Sequence, residues 1–70
     1  MRKYKVHVEV NELPEEPKSF NRIIVARRPN IATYIALKKK YKNVTHKKIV
    51  AIGDNTYRVD GIGDVYVTKM

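Results

Sequence analysis

No cysteine occurs in these 70 residues, which excludes a disulfide framework and a thiolate metal site as sources of stability. Packing has to hold the chain together. Histidine is scarce too: His7 and His46 are the two present, without the His-x-x-x-His spacing of a helical metal site. No apolar run approaches the ~20 residues of a membrane span, and Met1-Arg2-Lys3 leads into a strand pattern rather than the apolar segment of a signal peptide. The expectation is a cytoplasmic protein with no membrane contact. The most informative absence is that of acid. Between Pro17 and Gly53 the chain carries ten basic residues and no Asp or Glu, and all seven acids lie before or after that stretch.

Such one-sidedness creates a positive potential that water and salt only partly screen, so it favours polyanions or an acidic protein surface. The formal net charge is +8. On one small domain, residues 1–70, that charge adds self-repulsion which a bound anionic partner relieves.

Tyr4, Val6, Val8 and Val10 alternate with Lys3, Lys5, His7 and Glu9, the period-two pattern of a half-buried strand. Two prolines and a charge cluster then make residues 11–18 a surface loop. A second strand is expected from Ser19 to Arg27. It has Phe20, Ile24 and Ala26 on one face and Ile23 and Val25 on the other, a two-sided apolar pattern that places it inside the sheet. Pro29 ends it, and Asn30 reads as the N-cap of a helix over Ile31–Lys42. Tyr34, Leu37, Tyr41 and Val44 share one sector of that helix as its core stripe. Asn43 reads as a left-handed exit residue. Three more strands follow: His46–Ile52, then Thr56–Asp60 across a Gly53-Asp54-Asn55 turn, then one after a second turn at Ile62-Gly63-Asp64. The expected fold class is α+β, in the order β-β-α-β-β-β. A single helix packs on a small, mostly antiparallel sheet in two layers, and the other sheet face is exposed unless a partner covers it.

An enzyme needs a nucleophile with a base, a metal site or paired carboxylates of divergent pKa. None is legible. His7 reads as a solvated strand residue, and His46 as a surface residue beside Lys47 and Lys48. Glu15-Glu16 adjoins Pro17 in a loop, and Asp54, Asp60 and Asp64 lie in or beside turns, where Asp bonds the nearby backbone. Gly53, Gly61 and Gly63 lack the strand-to-helix context of a phosphate loop. The expectation is a non-enzymatic chain with no cofactor and no metal.

Binding residues are easier to nominate. Arg27 and Arg28 stand before the helix, where guanidinium groups and the free amides of Ile31, Ala32 and Thr33 can converge on one phosphate or carboxylate. Lys38, Lys39, Lys40, Lys42, Lys47 and Lys48 gather where the helix leads into the third strand, as mobile charges suited to backbone phosphates. A solvated helix end is the plainer account of those lysines. Against it stands the missing acid, since an ordinary exposed helix intersperses Glu for pairing. Arg22, on the second strand, completes the cationic set. Tyr57 and Tyr66 are candidates for stacking on bases, although cross-strand packing is the commoner use of such residues.

In layout, roughly the first fifty residues resemble the small archaeal LX-type protein of the large ribosomal subunit. The likeness rests on Lys5-Val6 near the start, Val25-Ala26 ahead of the helix and His46-Lys47-Lys48-Ile49 entering the third strand. Asn43-Val44-Thr45 stands where that family has Gly-Ser. The outline is also similar to small accessory or inhibitory proteins that dock on bacterial RNA polymerase, phage-encoded ones among them, and no functional residue is carried over from either. The sequence therefore leads to a basic module that binds the phosphate backbone of RNA or DNA, alone or within a ribonucleoprotein. The alternative is a protein-binding regulator or inhibitor, of phage or mobile-element type, whose cationic face docks on an acidic surface of a larger machine such as RNA polymerase or a nuclease.

Overall fold

The alternation at the N-terminus does produce a strand, β1 (Arg2–Val10), with Tyr4, Val6, Val8 and Val10 all buried. The computed structural model describes residues 1–12 and 18–70. β2 (Ser19–Ala26), helix α1 (Pro29–Lys38), a 3₁₀ turn (His46–Lys48), β3 (Ile49–Gly53), β4 (Thr56–Val59) and β5 (Gly63–Lys69) follow in order. The strands form one antiparallel sheet, β2-β1-β5-β4-β3, and α1 packs on β2, β1 and β5. This is the expected α+β architecture. Of the expected loop, Asn11 and Glu12 are exposed and both direct their amides to the Ile62 carbonyl at 3.0 Å. Residues 13–17 lie outside the described residues.

The position of β2 corrects the sequence reading. It is an edge strand, with Ile23 and Val25 53% and 54% exposed. The second apolar row belongs to the open face of the sheet, not to a second buried layer. Its other row meets the helix through Ile24 and Ala26, both buried.

The helix is shifted and shorter than expected. Pro29 opens it, because a fixed φ and a missing N–H suit the first helical position; Arg28 is the extended N-cap and Asn30 lies inside the first turn. Lys39 closes it, and the amides of Lys40 and Tyr41 both turn onto the Leu37 carbonyl, at 3.0 and 2.7 Å. The buried face is consequently Ala32, Thr33, Ala36 and Leu37. Two alanines leave the backbone free to sit close to the sheet, and the Thr33 hydroxyl is satisfied by donating to the Pro29 carbonyl at 3.0 Å. Of the expected stripe only Leu37 is buried within the helix. Tyr34 lies half-buried on its flank, while Tyr41 and Val44 reach the core from the connection that follows. With the helix already ended, Asn43 needs no left-handed conformation. Among the described residues the one non-glycine with positive φ is Asn55, at 52°, in the Asp54-Asn55 turn.

Two strand boundaries also move. His46-Lys47-Lys48 forms the 3₁₀ turn instead of entering β3: all three are exposed, and Lys48 donates to the Thr45 carbonyl at 3.1 Å. The last turn is Asp60-Gly61-Ile62, so Gly63 starts β5 opposite Val10. Gly63 has φ +151°, and a Cβ there would run into the Glu9 carbonyl oxygen, with both Asn11 N and Oδ1 at 3.0 Å. No helix among the described residues is long and apolar enough to cross a membrane.

Leu37 is fully buried, so Leu37→Ala should lower stability by about 2–5 kcal/mol in urea unfolding. Tyr41→Ala, removing a half-buried ring, should cost less than that. Gly63→Ala should destabilise by more than Gly61→Ala, because space around Gly61 is open and Gly63 faces backbone.

Candidate nucleic-acid interface

The early end of α1 gathers the lysines differently from the expected helix end. Only Lys38 is helical; Lys39, Lys40 and Lys42 lie on the chain turning away, and Lys47 and Lys48 on the 3₁₀ turn. All six are exposed. Lys38 Nζ donates to the Lys42 carbonyl at 2.8 Å, which ties the turn to the last helical residue. Lys40 Nζ stands 4.5 Å from the centre of the Phe20 ring and 5.7 Å from that of Tyr41, cation–π distances that fix an otherwise mobile side chain.

The connection is also fastened to the helix. His46 stacks on Tyr34 with ring centres 4.0 Å apart and planes at 18°, and Val44 is buried in the core. Between this segment and the Asp60-Gly61-Ile62 turn runs a groove of about 350 Å³. Lys40, Lys42 and Lys48 line it, Tyr41 and Val44 supply apolar wall, and Asp60 is the one acid lining it among the described residues. Among the described residues the ion pairs are His7–Glu9 and Arg58–Asp64, and neither involves these lysines.

Arg27 and Arg28 are exposed at the other end of α1. Ten residues at 1.5 Å each put the two cationic groups about 15 Å apart, so they are two contacts and not one patch. The arginine corner offers fewer amides than expected: Ala32 already donates to the Arg28 carbonyl at 3.0 Å, which leaves Asn30 and Ile31 as the amides of the first turn without an intrahelical acceptor. Arg22 is exposed on the helix side of the sheet, paired in register with Val6.

The two candidate tyrosines part company. Tyr57 points to the helix side and packs half-buried against the core, where burial first and the neighbouring Tyr4 second push its hydroxyl pKa up from 10.0. Tyr66 is exposed on the open face, opposite His7 and 6.2 Å from it between ring centres. Lys3 and Lys5 precede His7 along the same face of β1. They add positive charge near Tyr66 that the sequence reading left out, although their alternation with the buried row already put them there.

His7 is more than a solvated strand residue. Its Nε2 lies 2.7 Å from Glu9 Oε1 and its Nδ1 2.8 Å from Asn21 Oδ1. Both partners are acceptors, so the doubly protonated ring serves both at once. The Glu9 hydrogen bond, then that of Asn21, raises the pKa above 6.5. The Glu9 contact was legible as an i, i+2 pair on one strand face; the Asn21 contact depends on register. Because the folded-state pKa is the higher one, the stabilisation is fully present below about pH 6.5 and is lost as pH rises through the folded value. Urea midpoints measured from about pH 5 to about pH 9 should fall across that window. His7→Gln should remove the slope.

Among the described residues no three His, Cys, Asp or Glu stand together as a metal site. No protein-family model, curated protein sequence or solved structure matches this chain.

Proposed function

We propose that this chain is a non-enzymatic nucleic-acid-binding module that grips the phosphate backbone at the lysine end of α1. The observation that carries the reading is the groove lined by Lys40, Lys42 and Lys48, with Asp60 its one acid among the described residues. Ammonium groups there act as point charges toward phosphate oxygens and carry no base information, so binding is tolerant of sequence. Arg27 and Arg28, about 15 Å away along the helix, hold a second stretch of the same backbone through guanidinium donors. Tyr66, exposed on the open face between His7 and Thr56, supports contact with an unstacked base. A cytoplasmic location fits this role.

A second reading rests on a separate observation. Ile23, Val25, Val50 and Ile52 are large apolar side chains left about half exposed, and such residues favour a protein-binding regulator that docks on a larger acidic machine. Pull-down with and without nuclease separates the two: nuclease-resistant recovery of one acidic protein supports the second.

Binding to RNA or DNA should weaken steeply with salt, each phosphate contact contributing about −0.7 to −0.9 to the log–log slope, or roughly −4 for five contacts. A flat slope removes the nucleic-acid reading. Lys42→Ala with Lys48→Ala should make that slope shallower by about 1.5 without changing the melting temperature. Changing Arg27 and Arg28 together to Lys keeps net charge and should still reduce affinity, because lysine lacks the fixed donor fork; equal affinity would make the corner a general cationic patch.

A further inference from the structure

One side chain in the lysine groove is not accounted for by phosphate. Asp60 lines it with Lys40, Lys42 and Lys48 and is exposed, yet it pairs with none of them: the ion pairs among the described residues are His7–Glu9 and Arg58–Asp64. Nor does its carboxylate accept a hydrogen bond from any described residue. Its backbone, by contrast, is fixed. The Asp60 amide donates to the Lys48 carbonyl at 3.2 Å, and the Ile62 amide donates to the Val59 carbonyl at 3.1 Å across the turn. The carboxylate therefore stands on a held turn, with both oxygens open to an incoming donor. No atom lies within 4 Å of where a Cβ on Gly61 would stand, so the neighbouring residue leaves the approach clear.

The rest of the groove decides which donor that is. An arginine from a protein partner offers two parallel N–H groups but brings a further positive charge among three lysines. A nucleobase brings no charge, and its flanking phosphates supply the negative charge that lysines favour. Volume limits the base to an unpaired one: about 350 Å³ is at the small end of ligand sites, which run from about 300 to 1,000 Å³, and leaves no room for a base pair. Tyr41, Val44 and Ile62 give that base an apolar wall. Among the bases, guanine alone presents two adjacent donors, N1–H and N2–H, on its Watson–Crick edge. Adenine and cytosine place one amino donor beside an acceptor nitrogen, and thymine or uracil sets its single N–H between two carbonyls. Each of those edges turns a lone pair toward a carboxylate oxygen.

We propose that the groove holds one unpaired guanine of a single strand, with Asp60 accepting its N1–H and N2–H in two parallel charge-assisted bonds and the flanking phosphates on Lys40, Lys42 and Lys48. This rests on the phosphate-binding reading and adds base choice to it at one position. Lys48 and Asp60 also line the adjoining hollow with Val50, Ile52 and Arg58, so the groove is open past Asp60 and the strand continues beyond the base that is read.

Fluorescence anisotropy of the full chain tests this with short labelled oligothymidines, either unmodified or carrying one central guanine, adenine, cytosine or hypoxanthine, at one low salt concentration. The guanine strand should bind about tenfold more tightly than the adenine, cytosine and all-thymidine strands. Hypoxanthine, which keeps N1–H and lacks the amino group, should fall between. Asp60→Asn should abolish the guanine preference and, by removing a negative charge from the groove, tighten binding of the all-thymidine strand. Its circular dichroism spectrum should be unchanged, because the Asp60 side chain bonds no described residue. Equal affinities across the wild-type series overturn the proposal and leave the phosphate reading standing, as does an Asp60→Asn variant that tightens every strand alike. A guanine preference that survives Asp60→Asn overturns it too. A chain that binds none of the strands removes the phosphate reading and this inference with it.

Discussion

Everything in this fold is positioned by β1. It is bonded on both sides, to β2 along residues 2–9 and to β5 along residues 4–10, and its inward row is the floor on which α1 lies. Val6 and Val8 are fully buried, and their cross-strand neighbours include Val67 and Val65, fully or nearly buried as well. The chain has no crosslink and a modest core, so the β-branched row of this strand carries a large share of the burial that opposes chain entropy. The outward row of the same strand sets the character of the open face: Lys3, Lys5, His7 and Glu9 give it charge where a second buried layer would need apolar residues.

The parts of the fold legible in the sequence are those where local pattern and tertiary placement agree. β1 and the β3–β4 hairpin are of this kind, since alternation and the Asp54-Asn55 turn need no distant information. Failures occur where one residue type serves two purposes. Pro29 ends a strand and also starts a helix, and only the second role fixes the N-terminus of α1 two residues earlier than a cap at Asn30 would. The lysine run has good helix propensity, yet the helix stops at Lys38 because Val44 is drawn into the core and the chain must turn to deliver it. β2 misled for a different reason. Two apolar rows normally mean two covered faces, but here one row is simply uncovered.

The candidate site shows the same division. Its composition was legible, because the absence of acids between Pro17 and Gly53 is a linear property. Its geometry was not: the helix ends at Lys38, so most of the lysines expected on its last turns lie on the connection that follows, and Tyr57 and Tyr66, on neighbouring strands, fall on opposite faces of the sheet because of the β4–β5 register. Lys38 is drawn into a structural bond to the Lys42 carbonyl.

On the proposed phosphate-binding reading, the Tyr34–His46 stack bears on the speed of recognition. A ten-residue basic loop left free would have to be ordered at the moment of encounter, and each rotamer-rich side chain and backbone segment fixed then would subtract from affinity. By pinning the connection to the helix at its far end while Val44 anchors its middle, the ring pair shifts that ordering into folding itself. The lysines then arrive as a preorganised array on a rigid body. Long-range attraction can steer such an array into place in one orientation, without a subsequent search among loop conformers.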